Sequence, residues 1–275
     1  MKVISSLEDV KSFIKDNKSD RKISLIPTMG NLHIGHIKLI KSASSSSVKV
    51  VSIYVNELQF NDKNDYSNYP RTLPDDLSLC EDNNVDLVFT PKSSEVGNHI
   101  VGDKNDLPKF TSYMCGSKRP GHFSGVYRIV KFLFEILEPN VAYFGKKDFQ
   151  QLLLIKYIAS TYFPKLKIID INTVRDIDNI ALSSRLSRIS SESFDKVKLI
   201  FKTLQSMKKK LHKGIDYNIV KESSLLELVK RDISVEYLDL RSLDTLHELK
   251  NINDQCGIFI ACYIDHVRLI DNIEI

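Results

Sequence analysis

Short apolar runs alternate through the first two thirds of the chain with stretches whose apolar residues recur at helical spacing. The runs Ile23–Ile26, Val48–Val55, Val85–Thr90, Val141–Phe144 and Lys167–Ile171 predict strands, and Gly35–Ser44, Pro74–Asn83, Phe123–Leu137 and Phe149–Phe163 predict helices between them. That βα alternation predicts an α/β fold: a Rossmann-like, doubly wound parallel sheet over residues 1–172, with ligands collecting where strands turn into helices at their carboxyl ends. After Asn172 the pattern changes. Helical stretches at Ser191–Leu211 and Tyr217–Arg231 precede strand-like Val235–Leu240, Gly257–Tyr263 and His266–Ile270, which predicts a smaller C-terminal α+β domain over 173–275. No internal repeat is present.

The junction after the first of these strands is Pro27-Thr28-Met29-Gly30-Asn31-Leu32-His33-Ile34-Gly35-His36. Gly30 permits the turn, and Ile37, Leu39 and Ile40 resume on a helix face, so a helix starts near Gly35. Unpaired N–H groups and the positive end of the helix dipole favour an anion there, and two imidazoles beside it can donate to phosphoryl oxygens. On four letters alone, an incidental surface pair fits as well. His-Ile-Gly-His also matches the nucleotide-binding signature of the class I aminoacyl-tRNA synthetase and nucleotidyltransferase superfamily.

Composition narrows the class. With 275 residues, 42% of them hydrophobic and 27% charged, the chain can bury a proper core and exceeds the usual size of one domain. The net charge of +4 is spread out, with no long basic face to bind nucleic acid. The densest basic cluster, Lys208-Lys209-Lys210 with Lys213, reads as a solvated helix end. Cys80, Cys115, Cys256 and Cys262 form no CxxC pair, and neither a signal peptide nor a membrane-length apolar run is evident. A reduced, cytoplasmic enzyme that binds no membrane is the expectation, without a zinc site.

Five further segments extend the pattern: Val55-Asn56-Glu57-Leu58-Gln59-Phe60; Tyr69-Pro70-Arg71-Thr72 with Asp75-Asp76-Leu77; Gly121-His122-Phe123-Ser124-Gly125-Val126; Tyr143-Phe144-Gly145-Lys146-Lys147-Asp148-Phe149-Gln150-Gln151; and Val174-Arg175 with Ala181-Leu182-Ser183-Ser184-Arg185. Taken in this order and spacing with the first, they closely resemble the pantoate-β-alanine ligase (pantothenate synthetase) family, from about Ile23 to Arg185.

The resemblance implies a two-step ligation through an enzyme-bound pantoyl adenylate, with ATP as a substrate and Mg²⁺ accompanying it. Its implied catalytic groups are His36, His33 and Lys147, and its implied ATP site adds Met29, Gly35, Gly145, Asp148, Val174, Leu182, Ser183, Ser184 and Arg185. The two histidines, Lys147, Arg185 and the metal would be fixed or fixable positive groups that neutralise charge developing on the phosphates. For pantoate it implies Gln59 and Gln151 on the polar groups and Met29, Phe60 and Val130 on the methyl side; for β-alanine, Asn56, Tyr69 and Arg119. It implies a homodimer and a C-terminal domain that closes over the nucleotide site. Which residues touch Mg²⁺ is left open.

Other positions read more plainly. Asp75 and Asp76 fit a helix's first turn, where acids offset the dipole, and His122 fits either a residue supporting the site or, better, a hydrogen-bonded structural histidine. Asn61–Tyr69 reads either as a mobile wall of the site or as an ordinary surface loop. Glu57, Ile34, Ser124 and Leu186-Ser187 depart from the family pattern without removing a proposed phosphate or pantoate contact. Two other functions fit parts of the chain: a related adenylyltransferase that stops after transferring its nucleotide to a phosphate ester, which has no use for the paired amides, and a non-catalytic synthetase-like RNA-binding module, which the small net charge does not support.

Overall fold

A computed structural model describes residues 1–100, 107–253 and 255–275. The apolar runs become strands of an all-parallel, six-stranded sheet among these residues: β1 (Lys2–Ile4), β2 (Ile23–Thr28), β3 (Val48–Ile53), β4 (Leu87–Phe89), β5 (Val141–Gly145) and β6 (Lys167–Ile171), in the order β1-β4-β3-β2-β5-β6. Both faces of this sheet are covered, so its strands alternate between two apolar layers rather than between core and water. Leu25, Val50, Leu87 and Phe144 pack on one side with α7 (His122–Leu137) and α8 (Phe149–Tyr162). On the other side Ile26, Val51, Val88 and Tyr143 pack with Leu39 and Ile40 of α2 (Ile34–Ser42) and Cys80 of α4 (Leu73–Asp82).

The doubly wound sheet of the sequence reading is therefore present, with differences at its margins. β1 and the following α1 (Leu7–Lys18) were not anticipated; a three-residue edge strand is too short to show a period. β3 stops at Ile53, before the expected Val55, and β4 is trimmed at both ends. Asn61–Tyr69 is not a plain loop: it contains α3 (Lys63–Ser67), capped by Asp62, whose carboxylate accepts the Asn64 N–H at 2.8 Å. The connection from β4 to β5 carries α5 (Ser93–Ile100) and α6 (Met114–Lys118) before α7.

The C-terminal part has its own apolar core. α9 (Phe194–His212) and α10 (Tyr217–Val229) pack on an antiparallel sheet of β7 (Ser234–Ser242), β8 (Cys256–Ile264) and β9 (Val267–Glu274), in that order. Each of these strands is longer than its predicted run. Lys209 and Lys210 occupy the last turn of α9, the solvated helix end expected of that cluster. No helix among the described residues is long and apolar enough to cross a membrane, and all four cysteines are buried free thiols.

Candidate active site

The carboxyl ends of β2, β3, β5 and β6 open into one cavity of about 260 Å³. This is the switch point of the sheet: the chain leaves β2 toward β3 on one side, while β5 lies on the other.

At the end of β2 the two histidines bracket the start of α2. The Gly35 N–H donates to His33 Nδ1 at 3.1 Å, and the His33 N–H donates to His36 Nδ1 at 3.2 Å. A Cβ on Gly35 would lie 2.7 Å from His33 Cε1, so glycine is what lets the ring fold over the helix end. With both Nδ1 atoms accepting, each neutral ring carries its proton on Nε2 and can donate to a ligand in the cavity that both line. Burial, then the Lys147 ammonium, lowers the His33 pKa to about 4 against a smaller opposing pull from Asp148; burial, then His33 and Lys147, lowers that of His36 to about 3. The expectation that these rings supply positive charge is thus corrected: they are neutral donors, because desolvation and a neighbouring cation both disfavour imidazolium.

The turn preceding them is pinned from outside. The buried Asp76 carboxylate accepts the Asn31 N–H at 3.0 Å and the Leu32 N–H at 2.7 Å. Asp76 does lie in the first turn of α4, as expected, but its carboxylate is spent on this loop rather than only on its own helix dipole.

Fixed positive charge comes from two other segments. Lys147 stands in a 3-10 turn, Lys146–Asp148, directly after β5, and pairs with no carboxylate among the described residues. Arg185 arrives on the 172–185 segment and is engaged from α3: its Nη2 donates to Asp65 at 2.8 Å, and Arg188 reaches the same carboxylate at 2.8 Å. Their hydrogen bonds and charge hold the Asp65 carboxyl below its usual range despite partial burial. The Tyr69 ring lies 5.6 Å from the Arg185 guanidinium. Asn31 exchanges two bonds with Ser184, donating from Nδ2 to its carbonyl at 3.0 Å and accepting from its hydroxyl at 3.2 Å.

The same cavity is also walled by amides and apolar groups. Gln59 sits in a 3-10 turn, Glu57–Gln59, laid against α7 at Gly125; a Cβ there would come within 2.4 Å of the Leu58 backbone, so only glycine admits the contact. Asn56 donates to Gln59 Oε1 at 3.1 Å and to the Gly125 carbonyl at 3.0 Å, while Gln59 Nε2 donates to Met29 Sδ at 3.0 Å. His122 Nδ1 lies 2.7 Å from the Gln59 carbonyl, which also accepts from Arg119 at 3.2 Å. Burial, then the Arg119 charge, takes the His122 pKa down to about 3, so the ring is neutral and donates to this carbonyl; it also lines the cavity, which fits both a structural and a supporting role. Gln151 lines the cavity; Gln150, the preceding residue on α8, is buried and spends its amide on the Phe110, Tyr113 and Cys115 main chain.

Met29, His33, Gly35, His36, Asn56, Gln59, Tyr69, Arg119, Val130, Gly145, Lys147, Asp148, Gln151, Val174, Leu182, Ser183, Ser184 and Arg185 all line this one cavity. Phe60 does not; its ring lies edge-on to Tyr66 and Tyr69, 5.4 and 5.6 Å away. The lining also includes Tyr54, Asn172 and Thr173, which the sequence reading passed over. Their positions just past β3 and β6 were the available signal, since ligands gather at strand carboxyl ends.

A doubly wound sheet with a His-x-Gly-His helix start, a lysine after a neighbouring strand and a Ser-Ser-Arg loop across the cavity makes an α/β site suited to an anionic ligand such as a nucleotide. The family model for pantoate-beta-alanine ligase matches residues 2–274. The pantothenate synthetase of Clostridium botulinum (strain Loch Maree / Type A3) is 38% identical over 276 residues, covering 99% of this chain and 98% of that protein. That of Leptospira biflexa serovar Patoc is 36% identical, covering 99% and 98%. Among solved structures, pantothenate synthetase from Thermus thermophilus superposes with a TM-score of 0.90 at 30% identity, covering 100% of this chain and 99% of that one. Pantoate-beta-alanine ligase from Francisella tularensis, complexed with beta-gamma ATP and beta-alanine, does so at 0.84 and 31% identity, covering 100% and 97%. The chain belongs to the pantoate-β-alanine ligase family. These relatives favour neither alternative function.

Proposed function

We propose that this cavity joins pantoate to β-alanine at the expense of ATP. A pantoate carboxylate oxygen attacks the α-phosphorus, the bond to the β-phosphate breaks and pyrophosphate leaves; the β-alanine amine, having lost a proton, then attacks the acyl carbon of the pantoyl adenylate and AMP departs. The observation that carries this reading is one cavity lined by two kinds of group: neutral imidazoles, Lys147 and Ser183–Arg185, assigned to one end, and Gln59, Gln151, Met29 and Val130, assigned to the other.

At the first end, the Nε2–H groups of His33 and His36 and the Lys147 ammonium meet the negative charge that builds on the phosphates as pyrophosphate leaves, a role for preorganised donors in a partly desolvated site. Gly35 and Gly145 keep the main chain low beside the nucleotide, with Asp148, Val174 and Leu182 around it. Mg²⁺ bound to the phosphates would supply further neutralisation. Asp148 is the carboxylate among the lining residues, and no group of three or more His, Cys, Asp or Glu gathers to hold a metal among the described residues. That donor set fits an ion carried by the nucleotide and its waters.

At the second end, Gln59 and Gln151 hold the pantoate hydroxyls and carboxylate while Met29 and Val130 meet its gem-dimethyl group. Asn56, Tyr69 and Arg119 border the approach of β-alanine. Residues 173–275 act as a second domain that closes over the nucleotide, supported by the cavity contacts of Val174 and Leu182–Arg185 and the Asn31–Ser184 bonds. The resemblance supports a homodimer, and four buried thiols suit a reducing cytoplasm. The test is a mixture of ATP, Mg²⁺, pantoate and β-alanine with the protein: AMP and pantothenate should form in equal amounts, and omission of any one component should stop pantothenate formation. AMP formation indifferent to pantoate would refute the reading.

A further inference from the structure

The turn that presents Lys147 is held by a residue far away in sequence and outside the main cavity. Asn272, on β9, is buried, and its side-chain NH₂ donates to the carbonyls of both Lys146, at 3.1 Å, and Lys147, at 2.9 Å. An amide with both hydrogens committed has one orientation, and so does the turn it holds. Asn272 is itself locked. Its N–H donates to the Asp271 carboxylate at 2.8 Å, and its carbonyl accepts from Arg175 at 3.3 Å. Arg175 forks onto Asp271 at 2.7 and 2.8 Å and stacks 3.5 Å from the Phe201 ring centre. Arg175 also pairs with Ala181 in a short antiparallel bridge, from which Leu182–Arg185 runs into the cavity. The Lys146 side chain ties the same turn to Glu274, but through a flexible, partly exposed ion pair that leaves the carbonyls untouched.

We propose that Asn272 is a positioning residue for adenylate formation: it fixes the peptide that carries Lys147, so the ammonium meets the phosphates at a set distance from Ser183–Arg185. This rests on the ligase reading. A shift of about 1 Å in a group acting on charge development can cost on the order of 10²-fold in rate, whereas amine attack on a finished adenylate depends less on Lys147.

The experiment is a double-mutant cycle read separately in each half-reaction. Pantoate-dependent exchange of labelled pyrophosphate into ATP reads the first; preformed pantoyl adenylate with β-alanine reads the second. Asn272→Ala should lower exchange about tenfold or more and change the second reaction less than about twofold; in a Lys147→Ala background, Asn272→Ala should cost less than about twofold further, since the group it positions is gone. Equal losses in both half-reactions, a full loss repeated in the Lys147→Ala background, or parent-like exchange would each overturn the role. Asn272→Asp keeps the shape while turning an acceptor oxygen toward the two carbonyls; it is read in the same cycle against the same criteria if Asn272→Ala does not fold. Parent protein without any pantoate-dependent exchange would refute the ligase reading itself, a different result from a parent-like Asn272→Ala.

Discussion

At the end of the cavity assigned to pantoate, Gln59 and its neighbours are tied to one another before any substrate arrives, whereas at the end assigned to the nucleotide Lys147 and the two imidazoles stand unspent. Asn56 holds Gln59, Gln59 touches Met29, and Arg119 with His122 fixes the Gln59 carbonyl. Lys147, by contrast, pairs with no carboxylate among the described residues, and both imidazoles turn Nδ1 to the backbone, leaving Nε2 for a ligand. Arg185 is the exception, since Asp65 already engages it. The difference follows from the ligands. A compact hydroxy acid is recognised by shape and by amides that need no reorganisation, while a polyphosphate is recognised by charge, which helps only if it has not been neutralised beforehand.

The sharpest way to break this comparison is Lys147→Ala. Loss of one preorganised cationic donor should lower pyrophosphate exchange ~10²–10³-fold, about 3–4 kcal/mol, while the reaction of preformed pantoyl adenylate keeps a larger fraction of its rate. Exchange at the parent rate in a folded variant would return Lys147 to the status of a surface lysine. Next in size, Gln59→Ala should raise the pantoate requirement by a factor corresponding to roughly 1–3 kcal/mol, because substrate polar groups are left unpaired; calorimetric ATP affinity should hold steady. Loss of ATP binding with pantoate binding intact would reverse the assignment of the two ends.

Smaller effects sharpen the account. Asp65→Asn removes the charge that draws Arg185 and Arg188 toward α3, and should let water reach the intermediate, raising AMP released per pantothenate a fewfold above unity in the presence of pantoate. A ratio that stays at unity removes α3 as a cover. The last concerns stability rather than rate, and pH. His36 titrates near 3 when folded against a usual 6.5, so the unfolded chain takes up the proton first. Its contribution is therefore complete above pH 6.5 and is lost as the pH falls toward 3, and His36→Gln should flatten the decline of Tm across that acid limb. Parallel Tm profiles for parent and variant would contradict the neutral-ring assignment.

What the sequence made legible follows from how local each signal is. The strand runs and the His33–His36 helix start are written in contiguous residues, and the other expected lining residues came from the resemblance to the ligase family, all but Phe60 reaching the cavity. Asp76 could be seen only as a helix-start acid, because its partners lie 44 and 45 residues away. Asn272 was invisible for the same reason, its bonds spanning 125 and 126 residues. The neutral state of the histidines depends on burial, which periodicity does not report. α3 was hidden in a polar segment with no apolar face to give it a period.

The most direct test is exchange of labelled pyrophosphate into ATP with β-alanine withheld. If one cavity makes an adenylate first and transfers it second, exchange should appear on adding pantoate and Mg²⁺, stay absent without pantoate, and need no β-alanine. Exchange that requires β-alanine, or that proceeds without pantoate, would contradict the account.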